Sequence, residues 1–71
     1  MNHENMYRSN IIPGCTVDVV LKKDQATMQL THGTVKRILT NHSFHSRGIK
    51  VELCDGKIGR VQRIVHELDD N

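Results

Sequence analysis

Two runs of branched aliphatic residues flank the dipeptide Asp55-Gly56, and this arrangement limits the folds open to the chain more than any other feature. Before it, Ile49, Val51 and Leu53 alternate with Lys50 and Glu52, and after it runs Ile58 to Val65. Period-two alternation places the three apolar side chains on one face of a strand. Asp-Gly between two such runs is the strongest short-range hairpin signal, because both central positions of the tight turn require φ > 0. In the second run Val61, Arg63 and Val65 share one parity while Ile58 and Ile64 share the other. The strand therefore needs a phase shift, and Gly59 is the natural place for the bulge.

The same grammar recurs upstream. Pro13-Gly14 is a turn signal, and in Thr16 to Leu21 the side chains of Val17, Val19 and Leu21 share a face while Asp18 points the other way. Val20 on that second face implies partial cover there. Lys22 to His32 has too few apolar residues for a strand or helix and reads as a long loop. Gly33 opens a run from Thr34 to Thr40 in which Val35, Ile38 and Leu39 cannot share one face, so a bulge or strong bend is expected. Residues 41 to 48 (NHSFHSRG) form a polar loop.

Residues 1–10 lack apolar periodicity and read as a flexible arm, since they offer little apolar area to offset the cost of ordering them. Residues 66–71 read as an acidic tail, which leaves 11–65 as the folded body. Short β runs with glycine-bearing turns and no helical period define an all-β class. A chain of 71 residues has room for one core, and closing its sheet into a barrel of about five short strands removes exposed edges. With 3% aromatics the core must be aliphatic.

Several classes of function drop out. No stretch approaches the roughly 18 apolar residues of a spanning helix, and the polar start MNHENMYRSN lacks the layout of a secretory signal, so no membrane role and a cytoplasmic location are expected. Cys15 and Cys54 read as reduced thiols that behave as small buried hydrophobes. His42, His45 and Cys54 invite a metal reading, but a structural zinc site presents paired ligands twice and no Cys-x2-Cys occurs. His45 is read instead as ordering its loop through a hydrogen bond to backbone, and no metal or cofactor is expected. The motifs of hydrolases, metalloproteases and nucleotide-binding folds are missing. A fold this small is also expected to lack a cleft of about 300 Å³, so neither catalysis nor a small-molecule substrate is expected.

Charge carries the remaining functional content. The formal net charge is +2, but residues 22–63 hold nine Lys or Arg against Asp24, Glu52 and Asp55, a balance of +6, while Glu67, Asp69 and Asp70 make the end acidic. Lysines and arginines gathered on one side of a small barrel neutralise phosphates and release counterions. The candidate contact residues are Lys22, Lys23, Lys36, Arg37, Arg47, Lys50, Lys57, Arg60 and Arg63, with the face centred on Lys36, Arg37, Lys50, Arg60 and Arg63. Phe44, one of two aromatic residues with Tyr7, is either an exposed anchor or a plug for a barrel end. So few aromatic platforms imply electrostatic, weakly sequence-specific contact.

The strings Pro13-Gly14, Val17 to Gln25, Gly33-Thr34-Val35, Ile38 to Asn41, His45, Gly48 to Val51, Leu53, Asp55-Gly56 and Gly59-Arg60-Val61 resemble the YwbE-like family of small uncharacterised bacterial proteins. The resemblance spans residues 11 to 65. It implies an SH3-like barrel similar to the KOW modules of ribosomal proteins and elongation factors, and through that analogy an RNA or ribonucleoprotein partner. The chain departs from the family pattern at Met28-Gln29, where a glycine and a basic residue are expected, and at Ser43 to Ser46, where prolines are expected. The reading is a monomeric, non-enzymatic module that contacts RNA or a ribonucleoprotein through its basic face. The alternative is a protein-interaction adaptor using a barrel edge or the Phe44 loop.

Overall fold

A computed structural model describes residues 3–66, which build a closed all-β barrel, as expected. Among them run four strands, β1 (Thr16–Leu21), β2 (Leu30–Ile38), β3 (Lys50–Leu53) and β4 (Ile58–Val65). All neighbours are antiparallel, and β4 pairs back with β1 to close the sheet. Four strands suffice where about five were expected because β2 serves two partners in succession. Its first half, Leu30 to Thr34, pairs with β1, and its second half, from Val35, pairs with β3. The bend between them is the expected bulge, centred on Lys36, where the register slips between Val35 and Arg37.

β1 and β4 coincide with the runs read from the sequence, and the barrel interior is aliphatic. Val17, Val19, Val51 and Val61 have no solvent exposure, and Ile11, Ile49 and Leu53 pack with them. Three expectations shift. Cys15 is only partly buried against the core and Cys54, just past the end of β3 in the hairpin turn, is exposed, so neither is the buried hydrophobe expected. The 22–32 loop is shorter than its composition implied, because Leu30, Thr31 and His32 find ladder partners in Val20, Val19 and Asp18 despite being largely solvent-facing. The β4 bulge lies at Gln62, between Val61 opposite Val19 and Arg63 opposite Asp18, and it turns both Val61 and Ile64 inward. Gly59 answers a different constraint: a Cβ there would lie 2.8 Å from the Val19 Cγ2 and the Val20 carbonyl oxygen.

Residues 3–10 are not a free arm. Residues 4–6 and 8–10 form single 3-10 turns laid along the barrel. The Asn5 and Met6 carbonyls accept the N–H groups of Ile49 and His45, and the Arg8 N–H donates to the Ser43 carbonyl. Neither turn contains a buried residue, so apolar area gave no sign of this docking. The backbone pairing with residues 43–49 supplies it. Of the acidic tail at 66–71, residues 67–71 lie outside the described residues. Its first residue, His66, places its Nε2 2.9 Å from a Glu4 carboxylate oxygen. Among the described residues no helix is long and apolar enough to cross a membrane.

Candidate nucleic-acid interface

On the outer surface, strand register sets Lys50 of β3 opposite Arg60 of β4, and Arg60 opposite Val20 of β1. Two cations directly across a ladder repel, an arrangement that costs up to about 1 kcal/mol until an anion lies between them. Val20 faces away from the barrel core, yet it is buried. The turn after β1 folds back over it and carries Gln25 and Met28 to the same place.

These elements border two adjoining depressions. One, of about 320 Å³, is lined by Asn5, Met6, Val20, Gln25, Met28, Ser46, Arg47, Arg60 and Gln62. The other, of about 360 Å³, is lined by Val20, Lys22, Gln25, Lys50, Ile58, Gly59 and Arg60. They share Val20, Gln25 and Arg60, and together form one groove. The expectation that so small a fold lacks a 300 Å³ cleft is thus corrected. A bare barrel has no such walls, but the N-terminal turn, the 22–29 loop and the 41–48 loop raise them on three sides.

Four cations, Lys22, Arg47, Lys50 and Arg60, edge the groove, and among the described residues no carboxylate lines it. Arg60 is held in place by donating from Nη1 to the Gly48 carbonyl at 3.2 Å. Gln62 donates from Nε2 to the carbonyls of Arg47 and Arg60 at 3.1 and 3.3 Å. Half-buried His45 reports the local field. Loss of water around its ring, then the charges of Arg60, Arg47 and His42, hold its imidazole below the ordinary value of 6.5. Its Nδ1 accepts the Arg47 backbone N–H at 3.1 Å, an order-giving role expected of this loop histidine.

The other candidate cations are placed elsewhere. Arg37 donates from Nε to Glu52 Oε1 at 2.6 Å across the β2–β3 ladder. Lys57 donates to Asp55 Oδ2 at 2.8 Å, and that bond, with the Lys57 backbone N–H, holds the Asp55 carboxyl below its ordinary value. Arg63 lies 3.7 Å from Asp18, whose Oδ1 also accepts a 2.7 Å hydrogen bond from His32 Nδ1. Lys36 is exposed on the β2 bulge, and Lys23 is exposed in the turn after β1. The face centred on Lys36, Arg37, Lys50, Arg60 and Arg63 therefore divides: only Lys50 and Arg60 meet in the groove, joined there by Lys22 and Arg47.

Phe44 does not line the groove. Its ring stacks at a tilt of 57° on Tyr7, centroids 5.1 Å apart, and both rings stay nearly half exposed. Sequence reasoning missed Asn5, Met6, Gln25, Met28 and Gln62. The one signal available was position 28, where a glycine was expected and where the backbone has φ +61°. Among the described residues no three His, Cys, Asp or Glu side chains converge as a metal centre requires.

The profile of the family described as "Uncharacterized conserved protein (DUF2196)" matches residues 4–64. Uncharacterized protein YwbE of Bacillus subtilis (strain 168) is 60% identical over 58 residues, which cover 82% of this chain and 89% of that protein. No solved structure matches the chain.

Proposed function

The chain belongs to the family of uncharacterised conserved proteins (DUF2196) that it shares with YwbE, and from that premise we propose that it is a non-enzymatic, cytoplasmic, monomeric module that docks on RNA or a ribonucleoprotein through the Lys22–Arg47–Lys50–Arg60 groove. The observation that carries this reading is the convergence of four cations from two loops and two strands onto one groove with no lining carboxylate among the described residues. Such a surface attracts phosphate oxygens and releases their counterions, a contribution that is independent of base sequence. Arg37, Lys57 and Arg63 each face a carboxylate, so they add solubility and steering more than contact.

The test is a titration of fluorescein-labelled single-stranded RNA at low salt with three proteins: wild type, the Lys50→Gln/Arg60→Gln double variant and Arg37→Gln. Wild type binds, the double variant loses about tenfold or more, and Arg37→Gln changes little. Undetectable wild-type binding, or equal losses in the two variants, rejects the groove as an RNA contact. One observation favours an adaptor role as a second reading, namely the nearly half-exposed Tyr7–Phe44 pair. On that reading Phe44→Ala abolishes capture of a protein partner while leaving RNA affinity intact.

A further inference from the structure

We propose that the part of the groove between Met28 and Gln62 seats one unpaired nucleobase, so that the protein binds single-stranded RNA in preference to duplex. This deepens the RNA-binding reading of the same groove and rests on it. Phosphate capture needs cations alone, yet the depression that Met28 lines adds other chemistry to Arg47 and Arg60. Buried Val20 and the thioether residues Met6 and Met28 line it, together with the amide residues Gln25 and Gln62.

That combination suits a planar, largely apolar ring with a polar rim. Gln62 commits its Nε2 to two backbone carbonyls, which leaves its Oε1 to accept from a base edge. Gln25 lies on the exposed loop, where its amide can donate and accept. Its volume, about 320 Å³, lies at the lower end of the range for ligand-sized sites. The adjoining depression, entered past Arg60, offers Lys22 and Lys50 to the flanking phosphates.

Met28 strengthens the case. It is 53% exposed and adopts φ +61°, a left-handed conformation that favours glycine, held by its N–H donating to the Asp24 carbonyl at 2.7 Å. The chain keeps a large, polarisable residue at a position where glycine is the easier one, and that residue lines the groove. Conformational strain of this kind gathers at ligand-clasping positions. In an A-form duplex the bases are stacked and paired, and only a shallow minor groove is open, so no base can enter. A single strand can splay one out.

The test uses the full chain and three probes of equal length and matched phosphate number per strand: a single-stranded oligouridine, the same backbone without bases, and a duplex. Wild type is expected to bind the oligouridine about tenfold more tightly than either of the others, and Met28→Gly to lose about fivefold on the oligouridine alone. Glycine suits φ +61°, so that variant keeps its fold, and Gln25→Ala on the exposed loop gives a second one with the same expected pattern. Equal affinity for the oligouridine and the baseless strand overturns the base site while leaving the phosphate reading standing. No binding of any probe at low salt overturns both.

Discussion

Gly48 joins the fold to the groove, and its replacement by alanine tests that connection. Gly48 has φ +100°, and a Cβ there would overlap the Val61 carbonyl oxygen. That oxygen accepts a 3.0 Å hydrogen bond from Asn5 Nδ2, and the Val61 N–H donates to the Ile49 carbonyl at 2.8 Å. Gly56 offers the internal control, with φ +94° but nothing within 4 Å of the added atom. Gly56→Ala therefore costs only the backbone strain, about 1 to 2 kcal/mol. Gly48→Ala adds displacement of β4 backbone and loss of the Asn5 bond, for a total of about 3 to 5 kcal/mol. A domain of this size is stable by only about 4 to 10 kcal/mol, so Gly48→Ala consumes a large share of that margin. Urea unfolding followed by far-ultraviolet circular dichroism reads the difference, and the thermal midpoint should drop by about 12 °C or more. Equal destabilisation of the two variants within about 0.5 kcal/mol would refute the close approach of Gly48 to Val61, and with it the placement of the Gly48 carbonyl that holds Arg60.

Two further perturbations probe the surroundings of the groove. His45 should titrate below 6.5 in an NMR pH series, and Arg60→Gln should move it back up, because a neighbouring positive charge is removed. Its folded imidazole holds a proton less well than its unfolded one, so the stability it contributes is complete above pH 6.5 and is lost as the pH falls below that value. Bound RNA phosphates should raise the His45 value. A His45 that titrates at 6.5 irrespective of Arg60 contradicts the electropositive groove. Asp18→Ala removes a largely buried carboxylate, but its partners His32 and Arg63 have side chains 65% and 69% exposed and can return to water. The expected loss is about 1 kcal/mol in urea unfolding, and a loss above about 3 kcal/mol would show that the pair is held away from solvent.

The parts of this fold that were legible in the sequence are those where one side chain in two declares its face. β1 and β3 have such patterns, and Asp55-Gly56 declares the hairpin between β3 and β4. The start of β2 at Leu30 was hidden because ladder partners on β1, not composition, hold it. Gly59 drew the bulge in the reading since glycine serves bulges, whereas its place here is set by the proximity of β1. The docking of residues 4–10 was invisible to any count of apolar area, being made through backbone hydrogen bonds together with those of the Asn5 and Arg8 side chains. For the groove, the cations themselves could be named from the sequence. Which of them meet depends on register, which pairs Lys50 with Arg60 but also spends Arg37 on Glu52.

The central claim is that the groove cations touch phosphates, and the salt dependence of RNA affinity measures this most directly. Each phosphate neutralised on a single strand contributes about −0.7 to the slope of log affinity against log salt concentration, so three or four groove contacts predict a slope of about −2 to −3. The Lys50→Gln/Arg60→Gln variant should flatten that slope by about 1.4. A wild-type slope near zero, or one that the double substitution leaves unchanged, would contradict the account.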